Sequence, residues 1–197
     1  MPEERPSRRE RNKRRTRRAI AEAALALFER DGFEAVTVDQ IVERADVSPR
    51  TFFRYFATKE DAAFPHWAER QAAFEARLAE AGRGGSPMAG VREALGAMTE
   101  PIEADPAAEL RQQRVVDASP ALRAKEAELF EAWGEAIGAH LRKGRSQRAA
   151  RDAAVVAAAI LGAVRASFRA WVRSDGKLRF ARLEEEAFEA LRVAFGD

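Results

Sequence analysis

Cysteine is absent from the chain, which removes disulfides, thiolate metal sites and a cysteine nucleophile together. His66 and His140 are the only histidines and form no H-x-x-x-H pair, so neither a metal sensor nor a bound cofactor is expected. Valine, isoleucine, threonine and tyrosine are sparse beside alanine, leucine, glutamate and arginine, a balance that favours helices over sheets. Long apolar runs are also missing. The most apolar segment, Ala153 to Val164, is 12 residues long, short of the roughly 18 to 20 needed to cross a bilayer. Glu22 and Glu29 interrupt the run from Ala19 to Phe28, so no signal peptide follows the basic N-terminus. These absences predict a cytoplasmic protein without a membrane span.

What is present is a chain of 197 residues, 46% hydrophobic and 34% charged, enough to build a substantial core in one or two domains. The net charge of +2 hides an asymmetry. Nine cationic side chains against Glu3, Glu4 and Glu10 give the first 18 residues +6, so the rest carries −4. A basic arm on a mildly acidic body fits an anionic partner, nucleic acid or membrane surface, and equally a solvated tail.

Apolar residues at helical spacing predict a first helix that begins in the arginine run, carries Ile20, Ala23, Ala24, Leu27 and Phe28, and stops at Asp31-Gly32. Thr37 is the expected N-cap of a second helix with Val38, Ile41, Val42 and Ala45 on its stripe. Ser48-Pro49 starts a third, because serine caps and proline at the first position gives up no needed N–H. Only Asp46, Val47 and their flanks separate the two, the spacing of a helix-turn-helix, with Asp46 in a turn that asks for left-handed geometry. A fourth helix is expected from a Thr58/Asp61 capping box to about Ala81, before a linker at Gly82-Arg83-Gly84-Gly85-Ser86-Pro87. Further helices are expected near 87–100, 106–118, 120–143, 149–173 and 178–195, with Pro101, Pro106 and Pro120 as breaks.

The stretch SPRTFFRYF, Ser48 to Phe56, sorts by helical angle. At roughly 100° per residue Phe52 and Phe56 share one face, and Arg50 and Arg54 share the opposite one. The phenylalanines are expected in the core. The arginines, with Thr51, suit a major groove, where arginine donates bidentately to guanine. Tyr55 can donate to a phosphate, and Thr37 and Lys59 would bracket the groove. Phe53 either meets a thymine methyl or packs beneath the fourth helix.

The run from Ile20 to Asp61 resembles the DNA-binding domain of TetR/AcrR-type transcriptional regulators. The resemblance rests on Ile20, Ala23-Ala24, Leu27-Phe28, Gly32-Phe33, Thr37-Val38, Ile41, Ala45, Val47-Ser48, Thr51, Phe53, Phe56 and Lys59. Asp46 replaces the usual turn glycine, and Pro49-Arg50 stands where many relatives have a small or flexible pair. The resemblance implies an all-α fold of about nine helices. It comprises a basic arm (1–14), a three-helix domain with the helix-turn-helix (15–58), and a larger effector-binding and dimerisation domain (59–197). It further implies a homodimer on a pseudo-palindromic operator, a repressor by default, released by a small effector. The expected DNA-facing residues are Thr37, Ser48, Pro49, Arg50, Thr51, Phe53, Arg54, Tyr55 and Lys59, with Arg14, Arg15, Arg17 and Arg18 of the N-terminal arginine run.

For the dimer, the resemblance points to the last two helices. Ala153 to Val172, with Ile160, Val164, Phe168 and Trp171, is apolar and rich in small residues, and Leu183, Ala187, Leu191 and Phe195 form one stripe. A core helix within one subunit would read the same way. For the effector, candidate pocket walls are Phe64, Trp67, Phe74, Met88, Leu95 and Met98, residue types that ordinary packing also uses. Similar regulators sense acyl-CoA or lipophilic drugs, and Arg111, Arg114 or Arg165 would then meet an acidic head group. Two other classes compete. A nonspecific nucleic-acid or anionic-surface binder would need only the arm, whereas an enzyme would need a nucleophile and base that no motif supplies. Glu184-Glu185-Glu186 read as a solvated helix face rather than catalytic carboxylates.

Overall fold

The computed structural model describes residues 7–81, 86–143 and 147–195, the side chains at 147–150, 194 and 195 excepted. The expected linker residues 82–85, the arm residues 1–6 and the side chain of Phe195 therefore lie outside the described residues. Among those described the chain is all-helical: α1 (Arg8–Asp31), α2 (Val38–Arg44), α3 (Pro49–Tyr55), a 3-10 turn (Glu60–Ala63), α4 (Trp67–Ala81), α5 (Pro87–Ala104), α6 (Pro106–Ala118), α7 (Pro120–Arg142), α8 (Gln147–Arg173) and α9 (Phe180–Phe195). Two compact units emerge. One holds the chain through His66 together with Arg114–Lys125, and the other holds Trp67–Gln113 and the remainder from Glu126.

In the first unit, α1 starts earlier than the apolar periodicity indicates. Ser7 and Glu10 form a reciprocal capping box, with the Ser7 N–H donating to Glu10 Oε2 at 2.9 Å and the Glu10 N–H to Ser7 Oγ at 3.2 Å. The arginine run is the opening of α1, as expected, and the arm boundary placed at residue 14 falls inside the helix. Ile20, Ala24, Leu27 and Phe28 are buried on one stripe, and Gly32, at φ 83°, ends the helix by donating to the Phe28 carbonyl. A Thr37/Gln40 box opens α2, which buries Ile41 and Val42. Asp46 takes the turn at φ 52°, the left-handed geometry expected of it. Ser48 then caps α3 through the Thr51 N–H, with Pro49 at the first position.

The fourth helix differs from expectation. Thr58 and Asp61 do cap each other, but they open only a 3-10 turn. Pro65 is the reason: its ring pushes Phe64 out of helical geometry, to φ −122° and ψ 58°, and it has no N–H to carry the ladder on. α4 begins two residues later. The α6–α7 corner completes this unit through Ser119, whose hydroxyl donates to Glu34 Oε1 at 2.7 Å, and through a Lys125–Asp61 ion pair at 3.1 Å.

In the second unit, one core cluster joins Phe74 and Leu78 of α4, Val91, Leu95 and Met98 of α5, Trp133 and Ile137 of α7, and Ala157, Ile160 and Val164 of α8. Gly90 lets α5 approach closely, since a Cβ there would stand 2.6 Å from the Ala81 Cβ. A second cluster gathers Ile102, Leu110, Trp171 and Phe180. α5 runs through Pro101 to Ala104 instead of breaking there. Pro101 sits in the last turn, where it forfeits one ladder bond, while buried Ile102 holds that turn onto Trp171 and Phe180. Asp175 at φ 54° and Gly176 at φ 69° make the turn between α8 and α9.

Over Arg151–Arg173, α8 is long and apolar enough by length and composition to cross a membrane, so the 12-residue limit read from the sequence is too short. Core helices of globular domains meet the same criterion. Here Ala153, Ala157, Ile160, Val164 and Trp171 are packed inside the unit.

Candidate nucleic-acid interface

α3 has just seven residues, too short to hold its own shape in water, so its geometry is imposed by packing. Phe52 is fully buried and Phe56 nearly so, their ring centroids 5.8 Å apart. Each such side chain contributes about 2–3 kcal/mol by leaving water. That anchorage turns Arg50, Phe53 and Arg54 outward, and Phe53 is 56% exposed while resting edge-on against Phe52. Of the two alternatives for Phe53, packing under the fourth helix is therefore not the one found. Ser48 and Thr51 share a hydroxyl–hydroxyl hydrogen bond of 3.0 Å at the start of α3, and exposed Thr37 marks the start of α2.

Two expected contacts are turned inward instead. The Lys59 ammonium donates to the carbonyls of Phe33 and Val36, both at 2.8 Å, and sits 4.0 Å from the Phe33 ring centroid. Arg17 donates from Nε to the Pro65 carbonyl at 2.8 Å and from Nη1 to that of Tyr55 at 3.3 Å, and lies over Phe56. Both cations organise the unit from within.

The remaining cations of α1 divide by helical angle. Arg8, Arg9 and Lys13, with Asn12 and Thr16, line a groove of about 830 Å3 whose other wall is Arg54 and Tyr55 of α3. Arg14 and Arg18 point to the far side of α1, and Arg15 lies at the groove's edge. Sequence reasoning singled out Arg14, Arg15, Arg17 and Arg18 and left Arg8, Arg9 and Lys13 undistinguished within the basic arm. The Ser7-x-x-Glu10 capping box is the signal that reveals them, because it extends the helix and fixes its faces. Glu10 is spent on that cap. Hydrogen bonds from Ser7, with Arg14 and Lys13 nearby, hold its carboxyl below the ordinary range.

The expected effector residues do not form one set. Phe64 and Arg114 fall in the first unit, and Met88 is exposed. Phe74, Leu95 and Met98 do share the core of the second unit, with Trp67 packed against it. Missed from the sequence were Phe130 and Trp133: Trp67 stacks on Trp133 at 4.7 Å, and Phe130 meets both edge-on. Their i, i+3 spacing on α7 was the available sign. Arg165 lies 5.3 Å over the Phe130 ring, and Arg111 is half-buried on α6. The buried Trp133 Nε1 of this group has no hydrogen-bond partner among the described residues, and neither has Gln71 Oε1 of α4. No grouping of three or more His, Cys, Asp or Glu suited to a metal occurs among the described residues.

The expected dimer residues also divide. Ile160, Val164 and Trp171 are buried in the core of their own subunit, and Phe168 and Leu183 pack on the second cluster. Ala187 and Leu191 are half-exposed. The open side of α8 instead shows Val155, 71% exposed, with Ala158, Gly162 and Ala166 one, two and three turns further on.

Comparison with known proteins bears on this arrangement directly. The profile of bacterial regulatory proteins of the tetR family matches residues 20–61, and that of the MftR C-terminal domain matches residues 85–196, more than half of the chain. The HTH-type transcriptional regulator TcmR of Streptomyces glaucescens is 36% identical over 126 residues, 61% of this chain and 56% of TcmR, so the match spans little more than half of that protein. MftR of Mycobacterium tuberculosis, described as a mycofactocin biosynthesis transcriptional regulator, is 28% identical over 177 residues, 89% of this chain and 88% of MftR. Among solved structures, the SmeT–triclosan complex aligns with a TM-score of 0.65 at 16% identity, over 91% of this chain and 90% of that one. FadR of Thermus thermophilus in complex with lauroyl-CoA aligns with a TM-score of 0.59 at 20% identity, over 89% and 92%. At such identities the structures speak for the fold, and the profiles speak for the family. With a helix-turn-helix anchored by Phe52 and Phe56 inside the matched N-terminal region, the chain belongs to the TetR family of DNA-binding transcriptional regulators and is not an enzyme.

Proposed function

We propose that the protein is a cytoplasmic repressor that binds a pseudo-palindromic operator as a homodimer and is released by a small lipophilic effector. The observation that carries this reading is the outward face of α3, where Arg50 and Phe53 stand exposed on a helix held rigid by Phe52 and Phe56. Arg50 reads a guanine edge and Phe53 a thymine methyl. Thr37, Ser48, Pro49 and Thr51 set the register of α2 and α3 against the backbone. Two copies read successive major grooves about 34–36 Å apart, or a multiple of that spacing.

The open side of α8 supports a dimer face, since Val155, Ala158, Gly162 and Ala166 permit close helix approach. An effector site in the second unit is supported by the Trp67/Phe130/Trp133 aromatic group with the unpaired Trp133 Nε1 donor. An unsatisfied buried polar atom costs about 1–3 kcal/mol, which a ligand with its own acceptor would recover. A ligand that binds one separation of the α3 pair better than the other shifts the dimer away from DNA by that difference.

Selection of bound sites from a random duplex pool at near-physiological salt tests the reading. Enrichment of an inverted repeat by the purified chain, lost in Arg50→Ala, is the expected result. A folded protein that enriches nothing, even after denaturing and refolding to strip ligand, overturns it.

A further inference from the structure

We propose that the groove between the first turns of α1 and the end of α3 is a track for the phosphodiester backbone of the duplex, and that α1 binds DNA with one face only. This rests on the DNA-reading role of α3 and goes beyond it. It assigns Arg8, Arg9 and Lys13 to the interface, withdraws Arg14 and Arg18 from it, and moves Arg54 from base reading to backbone contact.

The groove brings four cations together, Arg8, Arg9 and Lys13 from α1 and Arg54 from α3, and no carboxylate among the described residues lines it. Like charges gathered in a concavity repel one another unless an anion joins them, and their field is focused by the walls. Glu10, the acid at this end of α1, is committed to the Ser7 cap and stays ionised there. Thr16 spends its hydroxyl on the Asn12 carbonyl at 3.0 Å, so the uncharged donors facing the groove are the Asn12 amide and the Tyr55 hydroxyl. Cations interspersed with neutral donors suit phosphate oxygens, which accept from both.

The elements fix the geometry independently. Arg17, clamped to the Pro65 and Tyr55 carbonyls, sets the rotation of α1 against the end of α3. With that rotation set, Arg8, Asn12, Thr16, Arg9 and Lys13 fall within an arc of roughly 140°, and Arg14 and Arg18 lie about 150–170° from its centre. The Arg54 guanidinium lies 5.1 Å over the Tyr55 ring, and both residues line the groove. A strand whose bases are read by Arg50 and Phe53 then continues along α1, which supplies affinity without sequence preference.

Two charge-matched pairs test this, each at i, i+4 on the same helix: Arg9→Ala/Lys13→Ala and Arg14→Ala/Arg18→Ala. Affinity for a random-sequence duplex is titrated against salt for both, with thermal melts as the folding control. Each phosphate contact contributes about 0.9 to the slope of log K against log salt. The groove pair is expected to lower the slope by about 2 for each bound subunit and the far-side pair by less than about 0.5 for each. The swap Arg9→Lys/Lys13→Arg is expected to keep the parent slope. Equal losses from the two pairs would mean diffuse attraction and overturn the proposal. So would loss of binding to anionic phosphatidylglycerol vesicles by the groove pair with duplex binding unchanged. If the parent chain binds duplex with a sequence preference that Arg50→Ala removes, α3 reads DNA whatever the pairs do, and only the track is at stake. A parent that binds no duplex defeats both.

Discussion

The Nε of Arg17 donates to the carbonyl of Pro65 at 2.8 Å, joining α1 to the residue that delays α4. Nη1 reaches the Tyr55 carbonyl at the end of α3. One guanidinium therefore satisfies two carbonyls left open by a helix end and a proline break, and a charged donor makes each bond worth about 1.5–3 kcal/mol. Arg17→Ala should destabilise the protein by about 2–3 kcal/mol, read as a lower urea midpoint at unchanged slope. Arg17→Lys should recover only part, because an ammonium cannot span the fork. Full recovery by lysine would show that charge alone matters there.

Lys59 gives a contrasting test of role. Its ammonium bonds the Phe33 and Val36 carbonyls of the α1–α2 loop. Lys59→Met should cost about 1–3 kcal/mol of stability. It should weaken binding to every duplex alike and leave the salt slope where it was. A phosphate contact would instead lower that slope by about 1. A slope change without loss of stability would return Lys59 to the DNA surface.

Local rules were legible wherever they act within a few residues. The Ser48-Pro49 start, the left-handed Asp46 and the Asp175-Gly176 turn follow from the residues at those positions. The inward Phe52 and Phe56 and the outward Arg50 follow from helical angle alone. What the residues do not state is which partner claims a side chain when several are in reach. Lys59 and Arg17 are surface residues by type, and only the long-range placement of the Phe33, Val36, Tyr55 and Pro65 carbonyls turns them inward. The apolar residues of α8 are equally fit for a core or a partner. α5 and α7 claim Ile160 and Val164, which leaves the small residues outside.

That division predicts opposite phenotypes from one helix. Val155→Glu combined with Ala166→Glu places charge on the open side of α8 and should leave the fold intact while light scattering reports a single subunit. Operator affinity should fall with it. Ile160→Ala removes core volume and should cost about 2–5 kcal/mol without a comparable change in association at a temperature where it remains folded. A dimer that survives both glutamates would move the interface elsewhere.

Glu184 links α9 to α5 at a buried position of a run whose neighbours Glu185 and Glu186 are exposed. It shares the stripe of Phe180 and Phe188, so its solvated reading fails by register. The Thr99 hydroxyl donates to it. Burial pushes its carboxyl from 4.5 up to about 7, Glu103 adds repulsion, and the Thr99 bond offsets part of the rise. Arg92 and Glu100 of α5 and Glu185 of α9 face the same groove. The folded chain then holds a proton that the unfolded chain releases above 4.5. Glu184 therefore favours folding most below about 4.5, and that contribution is lost as pH rises to about 7, after which it is constant. The span is about 3 kcal/mol. Glu184→Gln keeps an acceptor for Thr99 and removes the titration. It should flatten the fall in stability between pH 5.5 and 8 and leave the variant more stable than the parent at pH 8, both read by urea denaturation. Parallel pH profiles for the two proteins would mean that Glu184 is ionised in the fold at neutral pH, held by the Arg92 side of the groove.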